Sequence, residues 1–300
     1  MPNLRRTRLN AFWMFLLFVV ASQAFDYALG EGLLRAHAVD VNDRTWRPSI
    51  FIWFESVSFA AMIGASLLIC WLQRRRLREL GFGAKGALRQ GLWGAFWGLV
   101  APTALIGMIA AFGGFTFGSI AMSGQRLAIY AIGWLVAFIG VGLAEEATFR
   151  GPAQITLGES IGPWQAAIAI SAIFGAVHYF LKEGENLADA SSVTLLGLFM
   201  AFTVIRSGSI WYAVGFHTLF DYAAMYLYGA PNSGNGGQPV PTKLLTGGYH
   251  GAGWLTGGKL GIEASWLMIP ILAALFLGYH FATRKAASSA ALGYNPPHPA

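Results

Sequence analysis

The sequence predicts an all-α, polytopic membrane protein with about eight transmembrane helices. Two observations predict it. Apolar residues make up 55% of the 300 positions and charged residues 11%, roughly half the charge of an ordinary soluble domain. The apolar residues also fall into runs approaching the roughly 20 residues that cross a hydrocarbon core of about 30 Å. The runs are 11–29, 51–72, 91–111, 127–144, 164–180, 193–205, 210–228 and 264–282. The sixth is the shortest.

The first run follows Arg5, Arg6 and Arg8 as a secretion signal would. It lacks a small-residue cleavage site and is long enough to span, so it reads as a retained signal anchor. The second run holds the single cysteine, Cys70, which forms no internal disulfide and reads as a packing residue. The second and third runs are separated by the basic cluster Arg74, Arg75, Arg76 and Arg78. With eight crossings and a cytoplasmic N-terminus, this cluster lies in the cytoplasm with Arg5, Arg6, Arg8, Lys85, Arg89, Arg150, Arg206, Arg284 and Lys285. That makes thirteen of the 20 basic residues, the direction the positive-inside rule expects. Both termini are then cytoplasmic, and the cell membrane is the expected location. The net charge of +6 therefore sets orientation and meets anionic lipid head groups. Membrane lipids are the expected partners; nucleic acid is not, since the basic residues form no stripe on a soluble face.

Residues 229–263, rich in Gly, Pro, Asn and Ser, read as a mobile loop. Their glycines do not make a phosphate loop, because no strand precedes them and no Lys-Ser or Lys-Thr step follows. The tail after Lys285, with Asn295, Pro296 and Pro297, reads as disordered. No internal repeat of the kind that builds two-fold transporters is evident. The resulting organisation is 1–126 (three membrane segments and loops), 127–228 (the core), 229–263 (the loop) and 264–300 (the last membrane helix and tail).

Titratable groups at membrane depth cost several kcal/mol unless paired, so each marks a candidate site. Three runs hold nearly all of them. The fourth ends in Glu145, Glu146 and, after three residues, Arg150; the fifth holds Phe174 and His178; the seventh holds His217 and Asp221. Glu146 and Arg150 are four apart, in the favourable order for a helical ion pair, while Glu145 projects about 100° away and stays free. His217 and Asp221 are also four apart, so the carboxylate can orient or charge the ring. A free carboxylate and two imidazoles in a low-dielectric site suit peptide hydrolysis, with a base to activate water and donors for the oxyanion.

Each set has a plainer reading: a structural ion pair for Glu146 with Arg150, and a satisfied core histidine for His178. Their joint occurrence on three segments favours function. Depth sharpens this further. Glu145 and His178 on an antiparallel pair are level only if the turn falls midway, at about residue 161, where Gly158, Gly162 and Pro163 are turn formers. The fourth helix must then run on past Pro152, kinked there. Glu55 and Asp26 read as interfacial, and His37, His250, His280 and His298 receive no role.

Glu145-Glu146-x-x-x-Arg150, Phe174-x-x-x-His178 and His217-x-x-x-Asp221, in this order, resemble the signature of the CPBP family (CAAX protease and bacteriocin-processing), also called Abi. That family includes the type II CAAX prenyl endopeptidases, and the resemblance covers about residues 127–225. It implies a catalytic core of four helices and an intramembrane endopeptidase acting on a membrane-associated protein or peptide, such as a prenylated CAAX-type one. Glu145, helped by His178, would activate water. His217 with Asp221 would support the oxyanion, and Glu146 with Arg150 would hold the fourth helix. Asp221 departs from the Asn common in CAAX-type members; an ionised carboxylate cannot donate to an oxyanion, so Asp221 is either protonated or orients His217. Glu145, His178, His217 and Asp221 would also make a chemically reasonable zinc set. The resemblance and the lack of a His-Glu-x-x-His pair favour a metal-free, glutamate-based mechanism. The competing readings are a proton-coupled transporter, and a non-catalytic membrane protein of the immunity or binding kind.

Overall fold

The computed structural model describes residues 2–35, 46–181 and 186–292; His37, His298 and the expected disorder of the extreme tail lie outside them. The chain is an α-helical bundle: α1 (Pro2–Arg35), α2 (Pro48–Gln73), α3 (Ala87–Ala111) and α4 (Gly124–Thr148) are each at least 25 residues long. A π-helical turn, Phe149–Ala153, joins α4 to α5 (Gln154–Ile161). Then follow α6 (Pro163–Leu181), α7 (Leu187–Ser207) and α8 (Trp211–Asp221), with a second π-turn over Tyr222–Leu227. The short α9 (Gly253–Thr256) precedes α10 (Met268–Leu292).

Six helices are long and apolar enough to cross a membrane: Asn10–Arg35, Pro48–Gln73, Ala87–Ala111, Gly124–Ile161, Pro163–Leu181 and Asp189–Ser207. The protein is therefore an integral membrane protein. The sixth sequence run, the shortest by composition, lies in a helix of 21 residues. Met268–Arg284 is a shorter apolar helix, and α8 with its π-turn is likewise short.

The long fourth helix takes the form that depth matching requires. Gly124–Ile161 runs as one 38-residue rod. It is interrupted at Gly151, whose φ −79°, ψ −123° is not helical, next to Pro152. Proline lacks the N–H and crowds the preceding turn, so the ladder widens there. The chain reverses at Gly162, whose φ of 106° only glycine adopts without strain.

Lipid tails are as apolar as leucine, so these helices associate by close packing at small residues. Gly94 and Gly98 of α3 face α8 so closely that a Cβ would strike the backbone of Tyr212 and Phe216. A Cβ at Gly175 would strike Thr194 Oγ1, fixing α6 against α7. At Gly142 a Cβ would lie 2.7 Å from Thr218 Oγ1 and 3.0 Å from the Val214 carbonyl. Gly142 is one turn before Glu146, and Thr218 follows His217, so this contact sets the spacing of the polar groups.

The stretch 229–263, which composition casts as a mobile loop, is tied down by several hydrogen bonds. Gly248–Tyr249 pairs antiparallel with Phe115–Thr116, and Leu244 N–H donates to the Tyr226 carbonyl at 2.7 Å. Burial pushes the Tyr249 hydroxyl well above its ordinary range, with the Glu263 carboxylate adding to the effect.

Candidate active site

Glu146 and Arg150 lie on one face of the α4 rod, fully buried, with Arg150 Nη1 3.2 Å from Glu146 Oε1. Arg150 stands in the π-turn, its guanidinium 4.4 Å above the Phe174 ring. Phe174 in turn packs 4.5 Å from the His178 ring. Gly197 of α7 makes room for the cation: a Cβ there would lie 2.7 Å from Arg150 Nη2 and 3.1 Å from Phe174. A buried cation is tolerated only when paired; here a carboxylate and an aromatic face share that task.

Glu146 does more than hold its helix. The same Oε1 lies 2.9 Å from His217 Nδ1, so one carboxylate oxygen joins α4 to both Arg150 and the imidazole of α8. An ionised carboxylate only accepts, which places a proton on Nδ1 and turns Nε2 toward the other acidic groups. Nε2 lies 3.5 Å from Asp221 Oδ2 and 3.9 Å from Glu145 Oε2. The sequence spacing singled out Asp221 as the partner orienting His217; Glu146 is the closer one and acts on the opposite nitrogen. Local helical spacing could not show this, because the 71-residue separation is closed only by the α4–α8 contact.

Glu145 projects away from Glu146 as helical geometry requires. Its side chain is 33% exposed, and its Oε2 accepts no hydrogen bond among the described residues. His178 Nδ1 is 2.9 Å from the Phe174 carbonyl; it donates there, which leaves Nε2 as the acceptor of the neutral ring.

One cavity of about 290 Å³ is lined by Glu145, His178, His217 and Asp221, while Glu146 and Arg150 stand behind its wall. All six residues singled out in the sequence are thus gathered at one place. The cavity also takes Glu55, Asp189 and Glu263, which sequence reasoning did not include. Glu55, which the sequence reads as an interfacial residue without a role, is one of the cavity's lining residues. It lies about 10 Å into α2 from Pro48, at 1.5 Å per residue, and enters the site because Gly140 of α4 leaves room; a Cβ on Gly140 would come within 2.9 Å of Glu55 Cβ. Its depth within an apolar helix was the available signal. Asp26 accepts a hydrogen bond from Ser58 Oγ at 3.0 Å and ties α1 to α2. Among the described residues, no three His, Cys, Asp or Glu side chains are gathered in a set that could hold a metal ion.

A family model described as type II CAAX prenyl endopeptidase Rce1-like matches residues 126–223. Those residues carry the three motifs. No curated protein and no solved structure matches the chain. The match covers about a third of the chain, and over residues 126–223 the sequence is similar to the Rce1-like type II CAAX prenyl endopeptidases.

Proposed function

We propose that the protein is an intramembrane endopeptidase that hydrolyses a peptide bond of a membrane-associated protein, with a prenylated CAAX-type segment the first substrate to test. The observation that carries this reading is the convergence of Glu145, His178 and His217, from three separate helices, on one cavity that Phe138, Val141, Phe174, Leu196 and Met200 also line. In such surroundings a carboxylate is a strong base and each donor gains strength, because little water competes.

In the proposed reaction, Glu145 takes a proton from a water molecule held with the help of His178 Nε2, and the hydroxide adds to the scissile carbonyl carbon. The oxyanion accepts from His217 Nε2–H. For that nitrogen to donate while Nδ1 donates to Glu146, the ring carries both protons; the surrounding Glu145, Glu146 and Asp221 carboxylates compensate its charge. The C–N bond then breaks, and the leaving nitrogen takes the proton from Glu145, which restores the base. Asp221 has no need to donate: it sits on the His217 side of the cavity as a charge partner. Glu146 and Arg150 are positioning residues. The chemistry proposed runs on carboxylates and imidazoles, without metal.

The proposed orientation puts both termini in the cytoplasm of a cell membrane. It follows from the basic residues between α2 and α3 and is checked by reporter fusions at the two ends. The deciding experiment for function compares membrane proteomes of cells carrying the wild type or Glu145→Gln. One precursor should accumulate with the variant, and the purified wild-type protein should cleave it. An unchanged proteome together with no cleavage of farnesylated peptides would overturn the reading. Elemental analysis of active protein checks the metal-free chemistry, which a stoichiometric metal needed for activity would sink.

A further inference from the structure

A second, larger cavity of about 710 Å³ lies between α3 and α10, closed at its back by Tyr212 of α8. It shares no residue with the candidate active site. Its walls are apolar along their length, with Trp93, Trp97, Ala101, Ala104, Leu275 and Gly278 among them, and among the described residues no Asp or Glu lines it. A Cβ on Gly278 would meet nothing within 4 Å. The opposite side of α3 packs on α8 through glycines in backbone contact; this side stands open.

One end of the groove differs from the rest. Arg89 and Gln90 line it at the start of α3, with Thr283 near the end of α10. Arg206 stands behind Thr283 at this end without itself lining the groove: its Nε donates to Thr283 Oγ1 at 3.2 Å, and its Nη2 is buried with no acceptor among the described residues. The α2–α3 connection, which carries Arg74, Arg76, Arg78 and Lys85, leads into α3 at this end. From Arg89 to Ala104 the groove follows α3 for about 22 Å at 1.5 Å per residue. That is the depth of a single leaflet with its head-group region, half of roughly 40–45 Å. Trp93, one turn inside Arg89, stands at the level where tryptophan anchors membrane proteins.

We propose that this groove is a binding site for an anionic phospholipid of that leaflet: one acyl chain lies along α3 and α10, and the phosphate is held by Arg89 and Arg206. Cationic side chains at a head-group level with an apolar channel below match that chemistry at both ends, and the absence of lining carboxylates removes any repulsion.

Native mass spectrometry of the full chain in detergent tests it, with phosphatidylglycerol, phosphatidylcholine of the same acyl chains, and glycerol phosphate as probes. Phosphatidylglycerol should be retained at lower concentration than phosphatidylcholine, and Arg89→Ala should weaken it about fivefold, the effect of one arginine near anionic lipid. Gly278→Phe, which projects into open space, should remove the adduct with both arginines intact and the melting temperature in detergent unchanged. Equal retention of both lipids, with no effect of either substitution, would overturn the proposal. So would glycerol phosphate competing as well as the lipid, or a farnesylated peptide displacing the lipid one for one, which would make the groove part of the substrate path. The readout is binding, so it stands apart from whether the protein hydrolyses anything.

Discussion

α8 borders two cavities of opposite character. On one side, His217 and Asp221 face a small chamber of about 290 Å³ that also takes Glu55, Glu145 and His178. On another side, Tyr212 backs a groove of about 710 Å³ whose only charged lining residue among the described ones is Arg89, at its mouth. The groove can be large because apolar walls between membrane helices are at home in lipid. Behind the chamber's wall the buried charges are paired: Glu146 Oε1 touches both Arg150 Nη1 and His217 Nδ1. Inside a membrane, ionisable groups are affordable where helices are locked together, and the locks here are Gly142, Gly175 and Gly197.

Substitutions can break that contrast, beginning with the proposed base. Glu145→Ala should lower the rate of peptide cleavage by about 10²–10⁴-fold, the usual worth of a positioned general base, with membrane insertion and detergent melting unchanged. Full turnover by this variant in a purified assay would remove Glu145 from the mechanism.

Breaking the pair behind the wall should be felt as instability. Glu146→Ala leaves the Arg150 cation buried without its partner, which costs about 3–5 kcal/mol and frees His217 Nδ1. Thermal unfolding in detergent should show the loss, and activity should fall with it. An unaltered melting curve would show that the Phe174 face alone sustains the arginine.

A matched pair of glycine changes sharpens the comparison of the two sides of α3. Gly98→Ala drives a methyl group into the Phe216 backbone, and overpacking of this kind costs about 1–3 kcal/mol. Gly278→Ala, facing the open groove, should be neutral or stabilising by up to about 1 kcal/mol, because alanine is the better helix former. Similar melting temperatures for the two variants would mean that the α3–α8 contact is looser than its geometry.

The smallest expected effect belongs to Glu55. Glu55→Gln keeps the shape of a residue that lines the cavity from outside the matched segment, so a change of a few-fold in cleavage rate and in its pH profile is expected. Loss of activity as large as that of Glu145→Ala would promote Glu55 from the wall to the reaction.

Much of the fold is legible in the sequence because lipid imposes simple rules. Apolar runs near 20 residues marked the spans, and the midpoint between Glu145 and His178 located the turn at Gly162. The kink at Gly151–Pro152 followed from proline chemistry. The site was readable in part for the same reason, since charged residues in such runs are conspicuous. Glu55 was missed because one carboxylate near a helix end looks interfacial until its neighbours are known. The groove along α3 and α10 left no mark at all in the sequence, where Ala101, Ala104 and Gly278 look like any small residues in a membrane helix.

The sequence by itself determined the helical membrane class, the long kinked fourth helix, and the separation of Glu145 from Glu146 by 100° of helical turn, because each depends on local spacing and on the cost of polar groups in lipid. The tertiary structure alone decided that Glu146 holds His217 by its Nδ1, that Glu55 joins the same chamber, and that α10 stands away from α3. Each of these depends on which helix faces which, and that is set by glycine contacts between residues far apart in the chain.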